Sequence, residues 1–335
     1  MDKVRCAIIG LGFFGEKHAE VLADMEGVEL AAVCTRRSGR LKEIAERFGV
    51  AKTYTNYKDL LADNHIDVVN IVTHFQDHCD ITVDSLKAGK HVFLEKPMAS
   101  TVAECNKIVN AATSAKGLFM VGHICRFDTR VAVAKEAISR GEIGKIVYMH
   151  ATRNLPAPIG KANLNKISAL MGDGIHDTDL MLWFTGSKVE TVYAQEVRVG
   201  TCKYNDIGSA MYRFESGATG IIESVWALPE NTPFQIDARF EIIGTQGAIY
   251  IDCGDAGVTI NDKAGMRKPD TVYWPYLHKR SVGALRNELM YFTDCVRNGE
   301  KPDVISPEES AMAVAVMCAA EKSAASGEVV TVEYK

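Results

Sequence analysis

The chain has 335 residues, of which 47% are hydrophobic and 24% charged, with a formal net charge of −5 and a pI of about 6.0. These values predict a soluble globular protein of two domains, and the absence of a basic block argues against nucleic acid and membranes as partners. Its nine cysteines form no C-x-x-C pair, so we expect no disulfide framework. No apolar run reaches the ~18 residues of a membrane span, and the apolar start is too short for a signal peptide, so we expect a cytoplasmic protein.

The chain opens with a strand, a glycine turn and a helix in that order. An apolar run at 4–9 leads into the spacing G-x-G-x-x-G, and a helical pattern follows over about 16–25. In this setting the first glycine permits the turn, the second lets the backbone approach a pyrophosphate, and the third lets the helix pack on the strand. The helix dipole then faces the anion. The motif predicts a dinucleotide site with the loop residues Gly10, Gly12, Phe13, Phe14 and Gly15.

Short apolar runs alternate with helical patterns along the first third of the chain. We predict strands at 4–9, 28–34, 66–72, 90–94 and 118–121, and helices near 38–48, 57–62, 77–88 and 101–116. Several runs are apolar on both faces, as in parallel strands covered by helices on both sides. Thr101 and Glu104 have capping-box spacing, which fixes the start of the last helix. This part is predicted to be a doubly wound parallel α/β sheet that forms a first domain over 1–122, with a second domain over 123–335.

The end of the second strand bears on the choice of cofactor. An NAD site normally offers an acidic residue there, whereas this chain offers Thr35 and Arg36. Thr35, Arg36 and Ser38 are suited to hydrogen-bond a 2′-phosphate, so we predict a preference for NADP(H), with NAD(H) as the alternative. We interpret Arg37 and Arg40 as the solvated start of a helix.

Two further strand ends carry candidate site residues. In a parallel sheet ligands lie beyond the carboxyl ends of the strands, so we assign Thr73, His74 and His78 to the cofactor site. Nothing nearby completes a metal set with the two histidines, and we expect no metal. Glu95 and Lys96 follow the next strand and are also assigned to the cofactor site, and Pro97 holds Lys96 extended beyond the strand end. A lysine there can donate to a substrate oxygen and favour the alkoxide of an alcohol about to lose hydride.

The second half has the pattern of a mostly antiparallel sheet. Strand-like segments lie at 145–153, 189–199, 208–214, 219–227, 236–243 and 247–252. Residues 215–217 and 244–247 are predicted hairpin connections, and Ser306-Pro307 is a predicted helix start. A broad sheet with one face uncovered by helices would need a partner.

These motifs together resemble the Gfo/Idh/MocA family of oxidoreductases, which are related to glucose-fructose oxidoreductase and inositol dehydrogenase. The similarity rests on the glycine loop, Thr73 with His78, and the run Gly89-Lys90-His91-Val92-Phe93-Leu94-Glu95-Lys96-Pro97. It continues through Val121-Gly122-His123, Arg126-Phe127 and Gly174-Ile175-His176-Asp177-Thr178-Asp179-Leu180, and into helical segments near 281–298 and 307–325. The resemblance implies an N-terminal Rossmann domain, a C-terminal α/β domain with a large open-faced sheet, and a homodimer or homotetramer.

The resemblance also implies the catalytic residues. Lys96 is the catalytic lysine of Glu-Lys-Pro, and His176 exchanges the proton of the substrate hydroxyl. Many family dehydrogenases have an Asp four residues before this His, where the present chain has Gly172 followed by Asp173. Asp173 is three residues before His176, on the same helical face, and we keep it as a candidate that orients His176 or a neighbouring hydroxyl. Further candidates for the substrate site are His123, Arg126, Arg153 and Asn154, whereas Asp177, Asp179, Trp226 and Tyr193 are interpreted as structural.

We therefore expect an NAD(P)-dependent oxidoreductase that interconverts a hydroxyl and a ketone on a sugar, a sugar derivative or a cyclitol. In this hypothesis His176 takes the hydroxyl proton and Lys96 hydrogen-bonds the same oxygen, while the cofactor supplies the redox chemistry. The displaced acid leaves two alternatives that the family also includes. One is a glycosidase that keeps and recycles NAD, and the other is a ligand sensor without turnover.

Overall fold

The computed structural model describes residues 3–252 and 257–335, and contacts divide the chain into two compact units. The first contains residues up to 127, residues 273–311 and Lys335, and the second contains residues 128–272 and 312–334. This division differs from the predicted one at residue 122, because the segment after the parallel sheet is bonded to later residues of the same unit. One such bond joins the Asn287 side-chain amide to the Phe127 carbonyl.

The first unit is built on parallel strands connected by helices. The strands are β1 (Val4–Ile9), β2 (Val28–Cys34), β3 (Lys52–Tyr54), β4 (Val68–Ile71), β5 (His91–Glu95) and β6 (Phe119–Gly122). The helices are α1 (Phe13–Ala23), α2 (Ser38–Phe48), α3 (Tyr57–Leu61), α4 (His78–Lys87) and α5 (Val102–Ser114). The strand order is β3-β2-β1-β4-β5-β6, and every neighbouring pair is parallel. This is the predicted doubly wound sheet, which is thereby confirmed, with β3 as a short edge strand that the apolar pattern did not indicate.

Local sequence explains where these elements begin. All four residues of β4 are buried, as expected for a strand covered on both faces. At the start of α5 the Thr101 hydroxyl accepts the Glu104 N–H at 3.2 Å, and the Glu104 carboxylate accepts the Ser100 N–H at 3.0 Å. The predicted cap is therefore present, and the carboxylate bonds one residue earlier than in an ideal capping box.

The second unit is built on a seven-stranded mixed sheet. Its strands are β7 (Ile146–Pro156), β8 (Val189–Val197), β9 (Ile207–Phe214), β10 (Thr219–Leu228), β11 (Asp237–Gly244), β12 (Ala248–Asp252) and β17 (Val330–Thr331), in the order β12-β11-β7-β10-β9-β8-β17. Only β7 and β10 pair in parallel, and the other neighbours are antiparallel. Both predicted hairpins are present, since β9 leads into β10 and β11 leads into β12.

The remaining elements complete the two units. They are α6 (Thr129–Ser139), α7 (Ala157–Lys161), α8 (Ile175–Thr185), α9 (Ala284–Asn298), α10 (Pro307–Ser326), and the short hairpins β13 (Ile260–Asp262) with β14 (Gly265–Arg267) and β15 (Tyr276–Leu277) with β16 (Arg280–Ser281). A π-helical turn over Leu170–Gly174 runs directly into α8. In the described part of the chain, none of the helices combines the length and apolar character that a membrane span requires.

The two faces of the mixed sheet differ in composition. Helix α8 packs against β7 and β10 on one face. On the other face the register aligns one side chain from each of six strands into a continuous row. This outer row consists of Tyr193, Met211, Ile221, His150, Glu241 and Tyr250. Met211 and Tyr250 are 51% and 70% exposed, so large side chains with apolar surface are exposed on this face.

Candidate active site

The three glycines of the loop after β1 have three different environments. Gly10 has φ +101°, and an added Cβ there would overlap the Val72 carbonyl oxygen. An added Cβ on Gly15 would overlap the Gly10 carbonyl oxygen. At Gly12, by contrast, a Cβ would meet no atom within 4 Å in the described chain. The outer glycines are thus required by the protein's own packing, whereas the open space at Gly12 fits a ligand that approaches the backbone.

The ends of β1 and β2 are joined by arginines that we interpreted as solvated. The Leu11 carbonyl accepts Arg37 Nη2 at 2.8 Å and Arg40 Nε at 3.2 Å. Arg40 and Arg47 also pair with the Glu16 carboxylate of α1. Burial alone raises the pKa of Glu16, but the hydrogen bonds and charges of these arginines lower it below its usual value. Arg37 and Arg40 therefore hold the glycine loop, which corrects their interpretation as a solvated helix start.

The residues proposed to contact a 2′-phosphate lie at the predicted sheet edge. The Thr35 N–H donates to the Tyr54 carbonyl at 3.1 Å, which continues the ladder between β2 and β3. Ser38 is exposed at the first position of α2. The Arg36 side chain is 88% exposed and its Nη2 lies 3.8 Å from the Asp77 carboxylate. Arg36 is thus a surface cation beside the end of β2.

The aromatic residues of the loop differ in exposure. Phe13 is 69% exposed at the first position of α1. The Phe14 ring lies 5.6 Å from the ring of Trp274 and 5.2 Å from that of His18, both in edge-on orientation. Phe14 therefore packs within the unit, whereas Phe13 faces outward.

The histidines after β4 have opposite environments. His74 is exposed. His78 is 1% exposed at the start of α4, with Nδ1 2.8 Å from the Pro97 carbonyl oxygen and Nε2 3.3 Å from the Thr73 carbonyl oxygen. Burial lowers the pKa of His78, although the two carbonyls and the charge of Glu95 act in the opposite direction. Its enclosed ring joins the loops after β4 and β5, and its contact with the cofactor stays a prediction.

A buried residue that the sequence analysis missed supports the loop after β5. His18 of α1 is fully buried, and its Nε2 lies 3.0 Å from Glu95 Oε1. Glu95 Oε2 accepts the Lys96 N–H at 3.2 Å. The helix of the glycine loop is thereby connected to the backbone of Lys96, whose side chain is half-buried. The available signal was one histidine on the apolar face of a helix, and its partner lies 77 residues further along the chain.

Two candidate substrate ligands of the first unit are buried. His123 is 1% exposed and Arg126 is 3% exposed. Arg126 Nη1 donates to the Val304 carbonyl at 2.7 Å and to the Glu309 carboxylate at 3.3 Å. Arg126 thus ties this segment to the start of α10, and its place in the substrate site stays a prediction.

Two candidates of the second unit are likewise occupied by protein partners. The Arg153 guanidinium forms a bidentate pair with the Asp177 carboxylate, at 3.1 and 2.8 Å, and both residues are at least 95% buried. The Asn154 side chain donates to Glu223 at 3.1 Å and accepts the Val225 N–H at 2.9 Å. Both residues fix β7 to its neighbours, and their role as substrate ligands stays a prediction. The pair with Arg153 is compatible with the interpretation of Asp177 as structural.

The start of α8 carries the remaining candidates. His176 is the second residue of α8 and is 7% exposed. Asp173 lies in the π-helical turn, where its Oδ2 accepts the indole N–H of Trp226 at 2.8 Å. Trp226 therefore does more than pack against the sheet. In the described residues no group of three His, Cys, Asp or Glu side chains is arranged to hold a metal ion.

The comparisons with known proteins agree with this arrangement. Residues 4–123 match the GFO/IDH/MocA oxidoreductase family with its NAD-binding Rossmann fold, and residues 131–250 match the GFO/IDH/MocA C-terminal domain. The chain belongs to the Gfo/Idh/MocA family. Its first unit therefore contains an NAD-binding Rossmann domain, and the predicted class of oxidoreductase is confirmed.

Individual family members resemble the chain over its whole length. It is 30% identical to the myo-inositol 2-dehydrogenase of Thermotoga maritima over 96% of each chain. It is also 30% identical to the scyllo-inositol 2-dehydrogenase (NAD(+)) of Bacillus subtilis, over 99% of this chain and 97% of the relative. A crystal structure of myo-inositol 2-dehydrogenase from Lactobacillus plantarum has a TM-score of 0.86 and 26% identity, over 99% of this chain and 100% of that one. The likeness thus extends over both domains.

Proposed function

We propose that this protein is an NAD(P)-dependent dehydrogenase that interconverts a hydroxyl and a ketone on a cyclitol, a sugar or a sugar derivative. The observation that carries the proposal is the likeness to two inositol 2-dehydrogenases over almost the whole chain, at 30% identity each. The open space at Gly12, at the start of α1, supports it, because a pyrophosphate needs close approach to backbone N–H groups.

We propose two proton-handling side chains for this reaction. The bound nicotinamide accepts or returns the hydride. Lys96 donates a hydrogen bond to the reacting oxygen and stabilises its developing negative charge. His176 takes the hydroxyl proton in oxidation and returns it in reduction. The fixed backbone of Lys96, bonded to Glu95 and through it to His18, supports a positioned role for that lysine.

Lys96→Met tests this assignment. We expect turnover of myo-inositol and scyllo-inositol to fall by about 10²-fold or more, because general acid–base groups typically contribute that much, while NAD(H) binding stays within twofold. Lys87→Met, which also removes one lysine charge at an exposed position, is the matched control and keeps full activity. Normal turnover in Lys96→Met would exclude the proposed role.

We further propose that NADP(H) is preferred over NAD(H). The support is the sequence Thr35-Arg36-Arg37-Ser38 after β2, which places no carboxylate at these positions, and the exposed guanidinium of Arg36. A charge-assisted hydrogen bond to a 2′-phosphate contributes about 1.5–3 kcal/mol, which is roughly 10- to 100-fold in affinity.

Fluorescence titrations with NADPH and NADH test this preference. Arg36→Ala is expected to weaken NADPH binding at least tenfold and NADH binding by less than threefold. Lys42→Ala removes a charge that is 75% exposed on α2, the helix that follows Arg36, and it controls for the loss of one positive charge near the site. Equal binding of both cofactors by the unmodified protein would refute the preference and leave the dehydrogenase assignment unchanged.

We also propose a homodimer or homotetramer that covers the outer row of the mixed sheet. Its support is the exposure of Tyr193 and Met211, which adjoin Ile221 in that row, since contiguous exposed apolar side chains are typical of interaction surfaces. Light scattering should give an oligomer for the unmodified chain and a smaller species for Met211→Asp. An unmodified chain that is monomeric would refute this part.

A further inference from the structure

A tryptophan ring occupies the space next to Gly172, in the π-helical turn that precedes α8. A Cβ added to Gly172 would lie 2.5 Å from Cη2 and 2.7 Å from Cζ2 of Trp226. These distances are well inside van der Waals contact, so position 172 accepts no side chain while the indole stays where it is. The ring of Trp226 therefore leaves no room for an acidic side chain at position 172.

The indole has little room to move away. Trp226 is 3% exposed and packs in a cluster with Leu155, Leu164 and Ala169. An added Cβ on Gly160 would lie 2.7 Å from the Cβ of Trp226, so the backbone there is closely approached as well. The backbone N–H of Trp226 donates to the Asp206 carbonyl at 2.8 Å. A ring fixed in this way is a rigid donor, because its position is determined by packing on several sides.

The same ring that excludes a side chain at position 172 bonds the carboxylate at position 173. Nε1 of Trp226 donates to Oδ2 of Asp173 at 2.8 Å, in the range of a well-formed hydrogen bond. Asp173 lies in the π-helical turn over Leu170–Gly174 and is three residues before His176 in the sequence. Turns of this kind are frequent at functional sites.

We propose that Trp226 is a positioning residue of the substrate site, which excludes an acid from position 172 and fixes the carboxylate of Asp173, three residues before His176, for recognition of a polyol hydroxyl. This inference rests on the proposed function, because only a substrate with several hydroxyl groups gives Asp173 this use. It also predicts a steric coupling between Gly172 and Trp226 that is independent of turnover.

The steric coupling is tested by thermal unfolding. Gly172→Ala should lower Tm by roughly 5 °C, because overpacking of a rigid site is destabilising. Trp226→Phe removes the two indole carbons that approach Gly172 and should abolish most of that penalty when the two changes are combined. Gly39→Ala is the control, since a Cβ there would meet no atom within 4 Å in the described chain. Additive changes in Tm for the two substitutions would overturn the proposal.

The positioning role is tested by steady-state kinetics with scyllo-inositol and myo-inositol. Asp173→Asn keeps an acceptor for the indole but removes the charge, and Trp226→Phe keeps an aromatic ring but removes the donor. Each should lower kcat/KM about tenfold, and the double variant should lose little more than either single one, because both act through one carboxylate. Additive losses, or a Trp226→Phe variant that lowers Tm and leaves kcat/KM unchanged, would overturn the proposal.

The outcomes separate this inference from the proposed function. If the unmodified protein oxidises neither cyclitol while Gly172→Ala and Trp226→Phe remain non-additive in Tm, the proposed substrate class fails and the exclusion of an acid at position 172 by Trp226 is supported. If both cyclitols are oxidised while the changes in Tm and kcat/KM are additive, the dehydrogenase assignment stands and the role of Trp226 is refuted.

Discussion

Alanine substitutions at two glycines of the cofactor loop should separate folding from NAD(H) binding. Gly12 has φ −75° and ψ −165°, a conformation that alanine also adopts, and an added Cβ would meet no atom within 4 Å in the described chain. Gly12→Ala should therefore raise the free energy of unfolding by about 0.4–1 kcal/mol, through the lower entropy of the unfolded chain. Its methyl group would stand where a pyrophosphate approaches the backbone, so we expect NAD(H) affinity to fall at least about tenfold, or 1.4 kcal/mol.

Gly10→Ala should have a different profile. Its φ of +101° costs about 1–2 kcal/mol for a residue with a Cβ. The overlap of that Cβ with the Val72 carbonyl adds about 1–3 kcal/mol of overpacking. The expected loss in unfolding free energy is thus about 2–5 kcal/mol, which still leaves folded protein in a domain of ordinary stability.

Urea unfolding of the cofactor-free protein and fluorescence titration with NADH measure the two quantities separately. We expect Gly12→Ala to be at least as stable as the unmodified protein and deficient in binding. The reasoning would be refuted if Gly12→Ala bound NADH normally, or if it destabilised the chain as much as Gly10→Ala.

Three further predictions follow from buried polar contacts. Arg153→Met should lower the unfolding free energy by about 3–5 kcal/mol, because it removes the bidentate cationic partner of a buried carboxylate. Arg213→Met, at a pair that is 70% exposed on the arginine side, should change it by less than about 1 kcal/mol. Burial lowers the pKa of His78, so the unfolded chain binds a proton there more readily than the native one. The contribution of this site to the unfolding free energy is therefore present above about pH 6.5 and is lost as the pH falls. In His78→Gln the unfolding free energy should depend less steeply on acid pH, by up to about 1.4 kcal/mol per pH unit. His18→Leu should lower kcat more than His18→Gln, since glutamine can still donate to Glu95.

Each of these predictions has a measurement that can contradict it. Equal losses in urea unfolding for Arg153→Met and Arg213→Met would show that burial does not determine the effect. Parallel plots of stability against pH for His78→Gln and the unmodified protein would exclude a native ring with a lowered pKa. Equal kcat values for the two His18 variants would show that the donor at this position is not needed.

The parts of the fold that follow from periodicity could be predicted from the sequence. Strands apolar on both faces and glycines at fixed spacing are local signals, so β1, β2 and the glycine loop fall within a few residues of their predicted positions. The edge strand β3 was missed because its three residues are not an apolar run. The π-helical turn was missed because no local pattern distinguishes it from the first turn of a helix.

Candidate site residues could be proposed from the sequence where they follow a strand end, and their roles stay predictions. Arg126, Arg153 and Asn154 have the residue types of substrate ligands, yet the structure gives each a protein partner far away in the sequence. Arg37 was misread for the same reason, because its acceptor is the carbonyl of Leu11, 26 residues earlier. A polar residue type shows that the side chain can form hydrogen bonds. Only the tertiary structure determines which group is its partner.

The bond between His18 and Glu95 has a consequence for redesign of coenzyme specificity. Helix α1 carries both the turn that faces the dinucleotide and the histidine that supports the backbone of Lys96. On the proposed role of Lys96, substitutions in α1 that alter dinucleotide recognition and displace His18 should therefore lower turnover as well. Arg36 lies outside α1, and its side chain projects from the surface with Nη2 3.8 Å from the Asp77 carboxylate. On the proposed assignments, the end of β2 is thus a place separate from α1 at which coenzyme preference can be engineered.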